Sequence, residues 1–428
     1  MTNENLVLKR RTVLWLLLGY SAAHFLYSAV LTARRIDGGD MLSAFPGPLS
    51  FRLGRVWPPL ARDWVNASFG DGTFALWNYG PALHALTIPF GLASTLRQAM
   101  QWMLIVDVAL VAATMALWLN MLLPGRCLTA PALAILCVWL NHFPLLEAVA
   151  GREVEIFELF LITVGIQALK RDREGLAGFV FGLAATTKFL PGVFVPYLFI
   201  KGYNKAARIA LAIVVSIGVL AQPLLGWQAS ITVAAGNAQQ NDAEFPTAYA
   251  NQSIENVLQK TFAAFDIDNP HPPTAYPHSL RGLGNAVSLA VLAATGWFLV
   301  RCRRRRLVET ECALLAIVMC LVPIHANTYY FVFLLPALSI GVAALTRAGG
   351  LGTAPKIALA GAVSLSGFLV PMKFFEIATG VPGVLIARAL QQWSLPAYGA
   401  VLGAALMLEL HRLQRGLVTS PLASAKVR

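Results

Sequence analysis

The fold is decided by apolar stretches such as residues 102–122, which read WMLIVDVALVAATMALWLNML. Asp107 is the one charged side chain in that stretch. At 1.5 Å per residue, about 20 residues of helix cross the roughly 30 Å hydrocarbon core of a bilayer. Comparable apolar blocks recur along the chain, beginning with Val13–Leu31. The sequence therefore predicts an all-α, polytopic membrane protein with about 10–13 transmembrane or re-entrant helices, all in one integral membrane domain.

The composition argues against the other broad classes of protein. Hydrophobic residues make up 57% of the 428 positions and charged residues only 13%, whereas a soluble domain carries about 25% charged residues. The alternating segments of about ten residues that are typical of membrane β-barrels are absent from the sequence. A bundle of membrane helices is the class that remains.

The formal net charge of +12 is typical either of a nucleic-acid-binding protein or of a membrane protein. The second interpretation is favoured because Lys and Arg cluster in connections between apolar blocks, as the positive-inside rule predicts. The clusters are Lys9–Arg11, Lys170–Arg173, Lys201–Arg208 and Arg301–Arg306. We therefore expect a multi-pass protein of the cell (inner) membrane, with both termini in the cytoplasm and no nucleic-acid partner.

Two long hydrophilic loops, at about residues 32–77 and 227–282, are predicted on the outer side of the membrane. The apolar blocks beside each loop lead away from basic clusters, which mark the inner side. Because both long loops face the same compartment, a binding or catalytic site is expected on that face.

Some apolar segments are predicted not to span the membrane fully. The hairpin Gly175–Ile200 is interrupted by Gly and Pro, and its arms of about 12 residues are too short for a comfortable span. It places Lys188 at its tip, towards the outer side. One further segment must be short or re-entrant to keep the basic clusters on one side. The breaks at Asn141–Pro144 and at Pro81 and Pro89 are the candidates.

Two acids follow the first apolar block, in residues 36–41, which read IDGGDM. The two glycines between Asp37 and Asp40 allow the backbone to approach a ligand closely. A carboxylate at a membrane face can act as general base on a hydroxyl. Asp40 is therefore the candidate catalytic base and Asp37 the alternative, although simple solvation explains either acid equally well.

Two cations, Lys188 and Arg152, are predicted on the same outer side. They are able to neutralise a phosphate or diphosphate leaving group. The alternative is that they pair with Glu153, Glu155 or a lipid phosphate. His325 ends a predicted external span and is either an interfacial histidine or a site residue.

The remaining polar and aromatic residues receive structural interpretations. Asp107 and Glu158 lie within apolar runs and are expected to pair locally. Tyr329 and Tyr330 fit an interfacial aromatic belt, although Tyr and Trp on the outer side also suit stacking on sugars. The five cysteines form no CxxC pair, and no metal-ligand cluster or nucleotide-binding motif is apparent. Neither a metal nor another cofactor is predicted.

Several short motifs follow Asp40 in a fixed order. They are Asn78–Leu83 (NYGPAL), Ala150–Glu155 (AGREVE), Gly178–Pro191 (GFVFGLAATTKFLP), Asn251–Ile254 (NQSI) and Pro323–Pro336. Together they resemble the polyprenol-phosphate-mannose-dependent mannosyltransferases, glycosyltransferase family 87 of the GT-C superfold. The chain departs from that family where Arg152 and Glu153 replace a Gln and an Asn, and where Thr328 and Tyr329 replace a His pair.

The resemblance implies a GT-C-type enzyme that moves a hexose, expected to be mannose, from a polyprenyl-phosphate sugar to a lipid or glycan acceptor. The transfer would occur at the outer face of the membrane, in contact with membrane lipids, and would invert the anomeric centre. Asp40 would deprotonate the acceptor hydroxyl, while Lys188 and Arg152 would stabilise the departing lipid phosphate. The expected substrate-binding residues are Tyr79, Glu153, Asn251, Gln252 and His325.

Two alternatives from other classes remain open at this point. In a transporter or lipid flippase, the intramembrane charges would line a translocation path. Such a protein usually shows two similar halves with paired broken helices, and the sequence shows no such repeat. A non-catalytic assembly subunit would keep the same hydropathy without needing Asp40.

Overall fold

A computed structural model describes most of the predicted membrane-embedded part of the chain. The described residues are 3–33, 86, 88–93, 95–126, 129–188, 190–220, 251–262, 278–303, 307–323, 326–345, 351–368, 391 and 393–419. Most of the two predicted outer loops lies outside these ranges.

Within those ranges the chain forms fourteen α-helices, which we number in order along the sequence. They are α1 (Asn3–Ala33), α2 (Leu96–Leu122), α3 (Ala130–Asn141), α4 (Phe143–Gly151), α5 (Glu155–Lys170), α6 (Glu174–Ala185), α7 (Phe194–Ile200), α8 (Asn204–Leu220), α9 (Ile254–Phe262), α10 (His278–Arg301), α11 (Val308–Leu321), α12 (Leu335–Leu345), α13 (Thr353–Val363) and α14 (Leu395–Thr419). Short 3₁₀ segments occur at Ile88–Leu92, Leu190–Val193 and Thr328–Leu334, and a π-helical turn at Ser364–Phe368. The described part of the chain contains no strand, only an isolated bridge between Asn251 and Asn327.

Several helices have the length and composition needed to cross a membrane. In the described ranges these are Thr12–Val30, Arg97–Leu122, Leu280–Arg301 and Thr328–Leu345. The pair α3 and α4 counts as a fifth if it forms one span, and it is bent by 51°. Pro144 lies in the first turn of α4, where it has no N–H to continue the ladder from α3. The prediction of an all-α, multi-pass membrane protein is confirmed, and so is the predicted break at Asn141–Pro144.

The candidate spans differ in what surrounds them. Only 17% of the span residues in Thr12–Val30 and in Leu280–Arg301 are buried inside the protein, against 83% in Thr328–Leu345. These two weakly buried spans expose large apolar side chains such as Leu16 and Leu289. Apolar side chains on the outside of a membrane bundle contact lipid, so α1 and α10 form its periphery and α12 its centre.

The predicted hairpin at Gly175–Ile200 is present and packs closely on the helix that follows it. Gly178 and Gly182 of α6 face Ala206 and Ala210 of α8. A Cβ at Gly182 would lie 2.8 Å from the carbonyl oxygen of Ala210. Small residues four apart on both helices let the two backbones approach, as is common where membrane helices associate.

Three of the predicted basic clusters meet at one end of the bundle, which we call the basic end. Lys170 forms an ion pair with Glu309. The ammonium of Lys201 lies 2.7 Å from Glu311 and donates to the carbonyl of Cys302 at 2.8 Å. These contacts join the connections after α5, α7 and α10, as the predicted inner-face clustering requires.

The opposite end of the bundle, which we call the site end, follows from the helix directions. α5 begins at Glu155 and reaches the basic end at Lys170, and its 16 residues correspond to a rise of about 24 Å. α6 leads away from the basic end and delivers Lys188 to the site end. His411, in the C-terminal part of α14, lies 3.3 Å from Glu311 at the basic end. The beginning of α14 therefore lies at the opposite end, the site end.

Candidate active site

Lys188 lies in a buried corner at the site end. Its ammonium nitrogen is 2.7 Å from Oε1 of Glu155, and the two side chains are 9% and 0% exposed. The same nitrogen lies 4.5 Å from the ring centroid of Tyr330 and 5.4 Å from that of Tyr329. A desolvated carboxylate and two aromatic rings therefore surround one cation. Pairing of Lys188 with Glu155, one of the two alternatives drawn from the sequence, is what the structure contains.

The local sequence explains why the chain turns at Lys188. The hydroxyls of Thr186 and Thr187 bond to carbonyls of the preceding turn, at 2.8 and 2.6 Å. Such side-chain bonds compete with the helical ladder, and Pro191 prevents its continuation a few residues later. The turn therefore forms between α6 and the next helical segment, with Lys188 at its tip.

A second contact fixes the hairpin tip to the first turn of α5. The hydroxyl of Thr187 also lies 2.6 Å from Oε1 of Glu158, so its one proton is shared between this oxygen and the Ala184 carbonyl. Glu155 and Glu158 are three residues apart and project from one face of the helix, at its positive N-terminal end. Neighbouring residues of the tip, Thr187 and Lys188, thus each engage one of these two acids.

The burial of this pair determines what its loss would cost. Two charges taken out of water attract each other strongly, but removal of one leaves the other buried and uncompensated. Breaking a buried ion pair from one side costs about 3–5 kcal/mol. Lys188 and Glu155 are therefore strongly coupled.

The two tyrosines are held in place by a segment that belongs to the second predicted outer loop. Oδ1 of Asn251 accepts a hydrogen bond from the backbone N–H of Ala326 at 3.0 Å, and Gln252 N–H donates to the carbonyl of Ala326 at 2.7 Å. The amide of Asn327 donates to the hydroxyl of Tyr329 at 2.7 Å. Asn251 and Gln252, predicted to bind substrate, are fully buried here and hold the strand-like contact that positions Tyr329.

Lys260 of α9 completes this junction. Its ammonium donates to the carbonyl of Asn251 at 2.8 Å and to that of Gln391 at 2.9 Å. The side-chain amide of Gln252 donates to the same Gln391 carbonyl at 2.8 Å. Burial lowers the pKa of Lys260 to about 7, because desolvation disfavours the charged form.

Arg152, predicted to bind the donor phosphate, lies inside the protein. Its Nε donates to the carbonyl of Met100 and its Nη1 to that of Ala150, both at 3.3 Å. Its charge also interacts with Asp107 of α2, which was expected to pair locally. The backbone of Arg152 is left-handed, at φ 55°, where a residue with a Cβ is strained. The guanidinium thus anchors the α4–α5 turn that carries Glu155.

Glu153, predicted to bind substrate, shares that turn. It is buried, and its carboxylate folds back over Gly151, where an added Cβ would lie within 3 Å of it. Its backbone N–H donates to the carbonyl of Ala148 at 2.9 Å. Gly151 is therefore required by the close approach of the Glu153 side chain.

Four of the predicted site residues, Asp37, Asp40, Tyr79 and His325, lie outside the described residues. Their assignments stay predictions. No group of three or more His, Cys, Asp or Glu side chains that could hold a metal occurs in the described ranges, and the absence of a metal also stays a prediction.

Three residues of the corner were not selected from the sequence: Glu158, Thr187 and Tyr330. Glu158 was expected to pair locally, and its hydrogen bond to Thr187 joins it to a residue 29 positions away. Tyr330 was assigned to an aromatic belt. The one available indication was the Glu155–Glu158 spacing, which puts two acids in the first turn of an otherwise apolar helix.

Segments that resemble the family converge at the site end. Ala150–Glu155 supplies the acid, Gly178–Pro191 supplies the lysine, and Pro323–Pro336 supplies the aromatic rings. Asn251–Ile254 holds the third of these segments through Ala326. Thr328 and Tyr329 stand where a His pair was expected, and Tyr329 contacts Lys188 there.

The chain belongs to glycosyltransferase family 87, whose family model matches residues 77–323, more than half of its length. It is therefore a membrane glycosyltransferase. Family membership favours glycosyl transfer over the transporter alternative. Comparison with curated proteins found no match.

Proposed function

We propose that this glycosyltransferase takes a hexose, most simply mannose, from a polyprenyl-phosphate sugar and transfers it with inversion to a lipid or glycan acceptor. The observation that carries the proposal is the buried Lys188 corner, where motifs resembling the family come together in a chain that belongs to it. A lipid-linked donor suits a cation held within a bundle of membrane helices.

Lys188 would bind the phosphate that leaves. An ammonium has three N–H donors, so Lys188 is able to keep its bond to Glu155 while donating to a phosphate oxygen. Glu155 would then fix the position of the ammonium, and the Tyr330 ring would shield it from water. Preorganised charges of this kind stabilise a leaving group without rearranging during the reaction.

Asp40 is proposed as the general base, with Asp37 as the alternative. The acceptor oxygen attacks the anomeric carbon as its proton passes to the carboxylate, and the bond from that carbon to the phosphate oxygen breaks. The electron pair of that bond leaves with the lipid phosphate. Tyr79 and His325 are proposed to contact the substrates. Other predicted contacts, Arg152, Glu153, Asn251 and Gln252, are proposed to act by shaping the corner.

The site end is proposed to face the outer side of the cell membrane, with both termini in the cytoplasm. The basic end gathers three cation-rich connections, and such connections are retained on the cytoplasmic side. Because Lys188 lies at the opposite end, the transfer would occur at the outer face.

The proposal is tested by transfer of radiolabelled mannose from polyprenyl-phosphate mannose in proteoliposomes. Lys188→Ala should lower turnover by about 10²-fold or more, the usual effect of removing a group that stabilises transition-state charge. Lys170→Ala is the matched control, because it removes a paired lysine at the basic end. It should retain near-normal turnover. Undiminished turnover in Lys188→Ala, or equal losses in both variants, would contradict the proposal.

A further inference from the structure

A second polar feature at the site end lies apart from the elements that form the Lys188 corner. It is a cavity of about 230 Å³ between α9 and the beginning of α14, whereas the corner is built from α5, the α6 tip and the Thr328–Leu334 segment. Its lining residues are Lys260, Thr261, Trp393, Ser394 and Tyr398.

The cavity is assembled around one backbone carbonyl. That oxygen, on Gln391, accepts hydrogen bonds from Lys260 at 2.9 Å and from the backbone N–H of Ser394 at 3.0 Å. Lys260 also bonds to Asn251, which positions the tyrosine segment of the Lys188 corner. The cavity and the corner are therefore joined through the same junction.

Ser394 is the residue that indicates a ligand. Its side chain is 2% exposed and lines the cavity, yet its hydroxyl has no hydrogen-bond partner among the described residues. Its backbone is left-handed, at φ 54°, an unfavourable conformation for serine. A buried hydroxyl without a partner and a strained backbone are both costly, and both occur preferentially where a ligand binds.

The rest of the lining suits a sugar ring. Trp393 is 71% exposed, and Tyr398 is also exposed, so their faces are accessible at the cavity. A pyranose offers C–H groups on its face, which pack on aromatic rings, and hydroxyls at its edge, which both donate and accept hydrogen bonds. The volume lies below the about 300–1,000 Å³ of drug-sized pockets, so it fits one small unit better than a lipid chain.

We propose that this cavity is a sugar-binding subsite that holds a pyranose ring of the acceptor glycan. The ring would pack on Trp393 and Tyr398, and its hydroxyls would bond to Ser394 Oγ and Lys260 Nζ. This inference rests on the proposed function for its assignment to the acceptor. The matched family region, residues 77–323, includes Lys260 and Thr261 of the lining, whereas Trp393, Ser394 and Tyr398 follow it.

A phosphate is a poorer fit to the same lining. Of the five lining residues, all within the described part of the chain, only Lys260 carries a charge. Its ammonium is directed at two carbonyl oxygens, and burial lowers its pKa to about 7, so part of the population is neutral at neutral pH. A neutral amine still donates hydrogen bonds to a sugar but attracts an anion weakly.

The first test measures binding without turnover. Full-length protein in nanodiscs would be titrated with mannotriose, maltotriose and cellotriose, and contact detected by saturation-transfer NMR. Wild type should bind at least one of the three saturably. Trp393→Ala should weaken that binding by about tenfold or more, and Ser394→Ala by a smaller factor. Trp297→Ala is the matched control, since Trp297 is 63% exposed but lies near the basic end.

The outcomes separate the two proposals. Absence of saturable binding by wild type, equal loss in both tryptophan variants, or competition by inorganic phosphate but not by sugars would overturn the subsite. In transfer assays, Trp393→Ala should raise the acceptor KM and leave the donor KM unchanged. A raised donor KM instead would assign the cavity to the donor sugar and overturn the acceptor assignment. Sugar binding by a protein that does not use polyprenyl-phosphate mannose would refute the proposed function and leave a sugar subsite.

Discussion

The ammonium of Lys188 lies 4.5 Å from the ring centroid of Tyr330, although the two residues are far apart in the sequence. The ring covers a cation that Glu155 also contacts, so the charge is enclosed by one carboxylate and an aromatic face. This relationship links the hairpin tip to the segment where the family resemblance expects a His pair. An aromatic ring thus stands beside the lysine proposed to bind phosphate.

Replacing Tyr330 should weaken the use of the donor more than that of the acceptor. Tyr330→Leu removes a cation–π contact worth about 0.5–2 kcal/mol, so the donor KM should rise by about 2- to 30-fold. Tyr330→Phe keeps the ring and should stay close to wild type. Tyr27→Leu, an exposed tyrosine of α1, is the control and should change neither KM. Steady-state kinetics with each substrate varied would show whether the acceptor KM rises instead, which would count against this role.

The two acids of α5 should differ in their effect on stability. Glu155→Gln leaves the Lys188 ammonium without its buried carboxylate and should cost about 3–5 kcal/mol. Glu158→Gln alters the hydrogen bond to Thr187 and removes no partner of Lys188 named above, so it should cost less, about 1 kcal/mol. Thermal unfolding in detergent measures both. The double variant Glu155→Gln, Lys188→Met should recover part of the loss, and strictly additive effects would show that the pair is not coupled.

The role of Asp40 is tested by isosteric removal of its charge. Asp40→Asn should lower transfer from polyprenyl-phosphate mannose by about 10²- to 10⁴-fold, the range expected for loss of a general base. Asp37→Asn should be close to wild type. Normal transfer by Asp40→Asn together with loss in Asp37→Asn would move the base to Asp37.

Lys260 should make stability depend on pH in a defined direction. Its pKa is about 7 in the folded protein, below the ordinary lysine value, so the unfolded chain binds more protons above pH 7. The penalty for burying the ammonium is complete below pH 7 and declines as the pH rises. The Tm of wild type relative to Lys260→Met should therefore increase between pH 6 and pH 9. A constant difference across that range would show that Lys260 is not desolvated.

Two glycines of α6 offer a matched test of the helix packing. A Cβ at Gly178 would come within 3 Å of the backbone of Ala206, whereas a Cβ at Gly175 meets nothing within 4 Å. Gly178→Ala should lower stability by about 1–3 kcal/mol because it overpacks the α6–α8 contact. Gly175→Ala should be neutral or slightly stabilising. The measurement is the free energy of unfolding of both variants by the same denaturant. A larger loss in Gly175→Ala than in Gly178→Ala would contradict the prediction.

The features predictable from the sequence are those that local composition determines. Apolar length predicts the spans, Pro144 predicts the bend between α3 and α4, and Gly and Pro predict the hairpin that carries Lys188. The meeting of basic connections, seen in the Lys170–Glu309 pair, follows from the positive-inside rule.

The contacts inside the corner were not predictable, because they depend on how helices far apart in the sequence rotate about their axes. Thr187 meets Glu158 only because α6 packs back on α5, and no spacing within either helix shows it. The sequence around Tyr330 is equally compatible with an aromatic residue at the membrane interface and with a ring beside a buried cation. Arg152 looks like an exposed cation in the sequence, but the left-handed turn directs it into the protein.

The short hairpin also has a consequence for which sugar donors the enzyme accepts. The helix that raises Lys188 has 12 residues, a rise of about 18 Å, well short of a bilayer core of roughly 30 Å. In the orientation proposed above, Lys188 would lie nearer the hydrocarbon core than a cation at the end of a full-length span. A donor whose phosphate is drawn down with its own hydrocarbon tail can meet it there. A free sugar nucleotide would have to give up its hydration to reach the same depth. The proposed depth would therefore favour a lipid-linked sugar over a sugar nucleotide.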